Sequence, residues 1–327
     1  MASARKKEPI VGTSRDAAWF PGAKVVTLNC NGPTQKGFSA LRHENVERIL
    51  CLATRNAVDF ILVQELKGLT GRRAVEAARS YLPVQHVGSN TDANIFYNSA
   101  KYEAMPFNLR KYWDALRYTP GSVAEIGVSR MSVGFFKYRA SNPASARAKD
   151  YYIMVVSWHG PQSKAKNLEK KREYFENLMI TIDTFRLRFA RENKLFYDDV
   201  PVILGGDFNI EKKAVWPMKV TISRDLKFIT RWPDYEASPR RKVKRVGFQR
   251  IDEILFMRST KRADLPVYVQ SLYLEDPKPI EGYISDSKLT RDDMAWLKEK
   301  KENYKSLDHD PVFAVIGKAK TRSDHFW

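Results

Sequence analysis

The feature that most restricts what this chain can fold into is a series of eight short apolar runs: "KVVTLNCN", "VDFILVQE", "NIFYN", "VGFFKYRA", "YYIMVVSWHG", "VPVILGGDFN", "RIDEILFM" and "PVFAVIG". Each has the length and β-branched or aromatic content of a buried strand, and none approaches the roughly 18 apolar residues a membrane-spanning helix needs. Between several of them lie segments of helical period. "FSALRHENVERILCLATRN" puts Leu41, Val46, Ile49, Leu50 and Ala53 on one apolar stripe, and "NLEKKREYFENLMITIDTFRLRFARENK" reads as a long amphipathic helix with a basic polar side. Strands that alternate with helices, together with hairpin-like pairs, predict an α/β protein with mixed sheets. No internal repeat and no Ser/Gly linker divides the 327 residues.

Most of these runs stop abruptly at a polar side chain. The first ends in Asn29 and Asn31, the second in Gln64 and Glu65, the fifth in His159, and the sixth in Asp207 and Asn209. Asp252 stands near the start of the seventh, and Asp308-His309 precedes the eighth. A single residue of this kind is ordinarily a strand cap or a turn former. Six together predict a cleft at one edge of an α/β sandwich, where polar groups converge while the apolar bodies of the strands fill the core. Carboxylates and amide oxygens without cysteine partners are hard ligands, suited to Mg²⁺, with Mn²⁺ as a possible substitute, rather than to structural zinc. Such a site with histidines nearby suits phosphoester hydrolysis, in which a carboxylate positions or deprotonates water and an imidazole handles a proton.

Charge narrows the partner. Lys and Arg number 56 against 38 acidic residues, a formal net charge of +18, which points to a polyanion: nucleic acid first, an anionic membrane surface second. Two basic tracts stand out, "KAKNLEKKR" beginning at Lys164 and "PRRKVKRVGFQR" at Pro239 to Arg250. The second lies directly before a strand and also has the composition of a nuclear-localisation cluster. The two cysteines, Cys30 and Cys51, make no disulfide framework and no CxxC, which fits a reducing compartment. With no apolar signal-peptide region at the amino end, the expected location is intracellular, nuclear or cytoplasmic.

The ordered motifs resemble the endonuclease/exonuclease/phosphatase superfamily, which includes deoxyribonuclease I, exonuclease III-type abasic-site endonucleases, retrotransposon endonucleases and some phosphoinositide phosphatases. "LNCNG" resembles its first motif, "QE" its second, "GGDFN" its fourth, "RIDEIL" its fifth and "LDHDPV" its last, across roughly Lys24 to Ile316. The resemblance implies a four-layer α/β sandwich: two mixed β-sheets packed face to face, with helices on the outside. It implies a basic N-terminal extension at 1–23, a single catalytic domain at 24–317 and a C-terminal tail at 318–327. Carried over by position, Asn29 lies on the floor of the active site, while Asn31, Glu65 and Asp308 hold the metal. Asp207 orients or deprotonates water, Asn209 contacts the phosphate, and His309, paired with Asp252, contacts the scissile phosphate. His159 ends the third-motif strand where abasic-site enzymes usually have tyrosine, and it resembles the deoxyribonuclease I and sphingomyelinase branches. There it would protonate the leaving oxygen or stabilise the transition state.

The resemblance thus implies a Mg²⁺-dependent phosphodiesterase, with an endonuclease of low sequence specificity acting on DNA as the first expectation. Arg240, Arg241, Lys242, Lys244, Arg245 and Arg250, with Lys164, would contact phosphates, and Phe248 would stack on or wedge beside a base. The alternatives are an abasic-site or RNA-directed nuclease, a phosphoinositide or sphingolipid phosphoesterase and, last, a non-enzymatic nucleic-acid-binding module. No obligate protein partner is expected. Two departures from the pattern are Leu307, where the family has serine before the last Asp-His, and Glu253, where tyrosine often follows the aspartate. A second Asp-His, Asp324-His325, follows a serine as the family tripeptide does, but only Phe326 and Trp327 come after it. Without a strand to hold it, that imidazole lacks the positioning catalysis demands.

Overall fold

The computed structural model describes residues 23–30, 46, 50–51, 53–66, 75, 79–84, 92–116, 130–139, 150–161, 168–196, 200–210, 252–257, 270–273 and 312–316. They form two mixed sheets. The first has six strands: β1 (Ala23–Asn29), β2 (Phe60–Gln64), β3 (Tyr81–Pro83), β4 (Ala93–Asn98), β10 (Gln270–Tyr273) and β11 (Val312–Ile316), in the order β10-β11-β1-β2-β4-β3. The second has five: β5 (Tyr102–Met105), β6 (Met131–Tyr138), β7 (Tyr152–His159), β8 (Val202–Asp207) and β9 (Asp252–Met257), in the order β5-β6-β7-β8-β9. Helix α1 (Leu109–Leu116) lies between β5 and β6 and α2 (Leu168–Glu192) between β7 and β8, and helical residues on which Val46, Leu50 and Ala53 are buried lie between β1 and β2.

Each sheet contains one parallel pair, β1 with β2 and β7 with β8, and every other pairing is antiparallel. A parallel pair needs a crossover, and in both cases a helix supplies it. The described residues therefore contain two βαβ units, one per sheet, although no repeat is visible in the sequence. The sheets lie face to face, β1 against β8 and β2 against β7 and β8.

Period-two alternation decides which side chains enter the space between the sheets. Val25, Phe60, Leu62, Ile95, Phe136, Ile153, Val155, Ile203, Ile254 and Val312 make that inner core. The opposite face of the second sheet, with Val133, Phe135, Met154, Val156, Trp158 and Leu204, packs under Trp113 of α1 and Leu178, Ile182, Phe185 and Phe189 of α2. Phe135 stacks on Phe189 with ring centroids 4.0 Å apart, which fixes α2 over β6. Sheets inside and helices outside give the four-layer sandwich expected from the motifs.

The inner stripes change character along their length. Val25, Thr27 and Asn29 follow one another on β1, Phe60, Leu62 and Gln64 on β2, Val155, Ser157 and His159 on β7, and Ile203, Gly205 and Asp207 on β8. The core is thus apolar until one turn of pleat before the strand ends, where a buried polar layer begins. Gln64 Nε2 donates across the sandwich to Ser157 Oγ at 2.9 Å and lies 3.2 Å from Thr27 Oγ1. At the far end of β2, Asp59 is buried, accepting from Lys24 N–H and Lys101 Nζ, each at 2.8 Å. Burial raises its carboxyl pKa even against the pull of Lys101.

Candidate active site

Four strand ends bring the site together. In the parallel pairs Asn29 stands opposite Gln64 and His159 opposite Asp207, so both units deliver polar residues from the carboxyl ends of their strands to the same edge of the sandwich. Asn29 Nδ2 donates across the interface to Asp207 Oδ2 at 3.0 Å and lies 3.4 Å from Glu65 Oε1. The Asn29 amide therefore stands between two carboxylates that would otherwise repel one another. Asn29 and Asp207 are fully buried, whereas the Glu65 side chain retains 15% exposure. Among the described residues, Glu65 is the partly open carboxylate of the cluster.

His159 is buried between these two acids. Its Nε2 stands 3.2 Å from Glu65 Oε1 and 3.9 Å from Asp207 Oδ2, which is ion-pair distance without hydrogen-bond alignment. Neither ring nitrogen has a hydrogen-bond partner among the described residues. Buried polar atoms are ordinarily satisfied, so the imidazole is open to a partner from outside the described residues.

The exits of β7 and β8 are locked together. Asn209 N–H donates to Asp207 Oδ1 at 2.9 Å, its Nδ2 donates to Gly160 O at 2.8 Å, and the same nitrogen lies 3.2 Å from Asp207 Oδ2. Gly160 N–H returns a bond to Asp207 O at 2.6 Å. This approach is possible only because both glycines lack a side chain. A Cβ on Gly160 would enter the Phe208 carbonyl, and one on Gly206, whose φ is +153°, would enter the Trp158 carbonyl. Glu65 and Asn209 both adopt left-handed backbone, with φ of 53° and 52°. Ala57 and Lys194 share this conformation away from the cluster; at Glu65 it is strained, whereas asparagine tolerates the region.

The structure brings Asn29, Glu65, His159, Asp207 and Asn209 into one cluster. The backbone of Asp252 pairs with Asp207 at the start of β9, and its side chain lies outside what the structure describes. Asn31, Asp308, His309, Lys164, Arg240, Arg241, Lys242, Lys244, Arg245, Phe248 and Arg250 lie outside the described residues. The motifs did not single out Thr27 and Ser157, which the alternation places beneath the site, or Arg130 and Lys171. Arg130 Nη1 donates to Gly160 O at 2.8 Å, and Lys171 Nζ donates to Asn209 O at 2.7 Å. Lys171 belongs to the first basic tract, but its charge is turned inward onto a site carbonyl.

Cys30, beside the cluster, offers no nucleophile. Burial, reinforced by the Glu65 charge, pushes its thiol pKa well up, so the thiolate is suppressed. The remaining donors are carboxylate, amide and imidazole. No three His, Cys, Asp or Glu side chains among the described residues form a ready-made metal cage. Mg²⁺ does not require one, because it takes one or two protein carboxylates and fills the rest of its shell with water and substrate oxygens. The partly open Glu65 fits that use.

No protein-family model matches the chain, and a search of curated proteins returns no match. Solved structures do match along nearly the whole length. The D. rerio TDP2 structure complexed with a single-strand DNA product aligns at a TM-score of 0.52 and 14% identity, covering 91% of this chain and 100% of that one. A truncated Caenorhabditis elegans TDP2 aligns at 0.52 and 11% identity, covering 92% and 100%. The chain has the fold of these structures. At these identities the likeness shows this fold alone. The architecture expected from the ordered motifs is thereby found, and the cluster lies where the expected residues of β1, β2, β7 and β8 end.

Proposed function

We propose that the chain is a divalent-metal-dependent phosphodiesterase acting on nucleic acid, with DNA cleaved at low sequence specificity as the leading case. The observation that carries this reading is the convergence of Glu65, His159, Asp207 and Asn209 around Asn29 at one sheet edge, with both His159 nitrogens lacking a hydrogen-bond partner among the described residues. Glu65, with Asn31 and Asp308, would hold Mg²⁺, which when bound supplies neutralisation of phosphate charge. Asp207, its oxygens oriented by Asn29 and Asn209, positions or deprotonates the attacking water. Asn209 contacts the phosphate. His159 carries a proton to the leaving oxygen, a role suited to a buried imidazole beside two carboxylates. His309, oriented by Asp252, contacts the scissile phosphate.

Two considerations favour a nucleic-acid substrate. The net charge of +18 suits a polyanion, and the similarly folded TDP2 of D. rerio was captured with a single-strand DNA product. Among the described residues no helix is long and apolar enough to cross a membrane. The test is a substrate panel of plasmid, single strand, abasic duplex, RNA and inositol phosphates, each with Mg²⁺, Mn²⁺ and a chelator. Chelator-sensitive cleavage of DNA is expected, weakening steeply as salt rises because each neutralised phosphate releases counterions. Cleavage of inositol phosphates alone, or binding without salt dependence, would overturn the nucleic-acid assignment.

A further inference from the structure

The carbonyl of Gly160 accepts two hydrogen bonds from different parts of the chain, Asn209 Nδ2 at 2.8 Å and Arg130 Nη1 at 2.8 Å. The same Arg130 nitrogen lies 3.4 Å from the carbonyl of His159. Arg130 stands immediately before β6, on the neighbouring strand of the sheet, so its guanidinium reaches sideways over the exit of β7. A second cation does the same for β8, where Lys171 in the first turn of α2 donates to Asn209 O at 2.7 Å. The two exits are therefore capped by a cation each and tied to one another through Asn209 and Gly160.

These caps sit where the backbone needs them. Asn209 holds a left-handed conformation, and Gly160 makes an approach to Phe208 that excludes any Cβ. Past the strand ends the Gly160 N–H still bonds the Asp207 carbonyl, but the carbonyls of Gly160 and Asn209 take their donors from side chains, and without them would turn to water. We propose that Arg130 is a positioning residue for the β7–β8 side of the site. It acts through the Gly160 carbonyl on Asn209 and His159, and Lys171 is its counterpart on the Asn209 carbonyl. The inference rests on the phosphodiesterase reading for its kinetic consequence but not for its structural one. Charge-assisted bonds to both carbonyls hold the two turns in register, so His159 and Asn209 keep a fixed separation from Asp207. Neither cation needs to touch substrate for this.

The decisive experiment is a double-mutant cycle of Arg130→Gln and Asn209→Ala, combined with site-resolved hydrogen exchange. In the parent background Arg130→Gln should lower kcat between about tenfold and a hundredfold with KM little changed, as expected of misplaced reacting groups. In the Asn209→Ala background the same change should cost several-fold less than in the parent, because the part carried through Asn209 is already lost and only the hold on His159 remains. Arg130→Lys should recover most of the loss. Independently of any substrate, Arg130→Gln should speed exchange at the Gly160 and Asn209 amides while Leu62, in the other sheet, stays protected. Fully additive losses, or unchanged exchange at those amides, would overturn the proposal. If the parent chain hydrolyses nothing in the substrate panel, the phosphodiesterase reading falls, and the exchange measurement alone still decides whether the clamp exists.

Discussion

The first βαβ unit, β1 through β2, and the second, β7 through β8, reach the same cleft with differently held side chains. On the first, Asn29 and Gln64 are sealed into the sandwich, and the chain then turns through a left-handed Glu65 whose carboxylate keeps some exposure. On the second, His159 and Asp207 are both buried, and the following turns are fastened by Asn209, Arg130 and Lys171. An open acid on one side and a fastened acid–imidazole pair on the other divide the chemistry. Under the proposed function the first side would accept the metal ion, and the second would hold the proton-handling groups still.

The division is tested most severely at the fastened acid. Asp207→Asn is nearly isosteric, but it places an amide where Asn29 Nδ2 and the Asn209 amides donate, at 2.9 to 3.2 Å. Phosphodiester hydrolysis should fall about 10²- to 10⁴-fold at saturating metal, the range for loss of a general acid–base group. Raising Mg²⁺ should not restore it. Glu65→Gln on the open side should behave otherwise: the divalent-ion concentration for half-maximal rate should rise about 10- to 100-fold, with much of the rate recovered at high metal. If metal titration rescues Asp207→Asn and leaves Glu65→Gln unmoved, the two sides have been assigned the wrong way round.

How much of this was legible beforehand depends on where each residue lies in the sheets. All eight apolar runs contain strands of the fold, and the three strands without such a run, Tyr81–Pro83, Tyr102–Met105 and Gln270–Tyr273, are all edge strands. These three are only three or four residues long, and β3 and β5 turn Leu82, Glu103 and Ala104 to solvent, so they carry little apolar signal, unlike the six-residue edge strand β9. The carboxylates, amides and imidazole at the strand ends could be read because a polar residue after a buried run is locally anomalous. Arg130 and Lys171 could not, since a lysine within "NLEKKR" looks the same whether it meets water or a carbonyl 38 residues away. Thr27 and Ser157 lay between these cases. Their place on the inner stripe follows from period two, but their joint contact with Gln64 spans two sheets and has no local signature.

That polar layer supports both units at once, which makes it the place to ask whether they fold as one. Gln64→Leu keeps the volume roughly constant and strands the hydroxyls of Thr27 and Ser157, so it should cost about 1–3 kcal/mol in urea unfolding. The transition should stay single, because the apolar core between the sheets still joins β2 to β7 and β8 when that bond is lost. Two separated transitions would mean that the units are energetically independent and that only the site joins them.

The smallest effect separates the two left-handed turns by sign. At Glu65 the strained φ of 53° belongs to a residue type that rarely adopts it, and its carboxylate faces Asp207 across the shared Asn29 amide. Glu65→Gly removes about 1–2 kcal/mol of left-handed strain together with that repulsion, against the roughly 0.5–1 kcal/mol glycine loses in chain entropy. Measured by urea unfolding without divalent ion, the variant should be about 0.5–1 kcal/mol more stable than the parent while losing metal-dependent hydrolysis. At Asn209 the φ is 52°, but asparagine tolerates that region, and its side chain holds Gly160 O and Asp207. Asn209→Gly should therefore destabilise by about 1 kcal/mol, the net worth of a hydrogen bond lost with little strain relieved. A gain at Glu65 with a loss at Asn209 is what an open ligand and a fastened scaffold predict. A gain at both would show that the β8 turn is held by Lys171 and the Gly160 contacts without help from the Asn209 side chain.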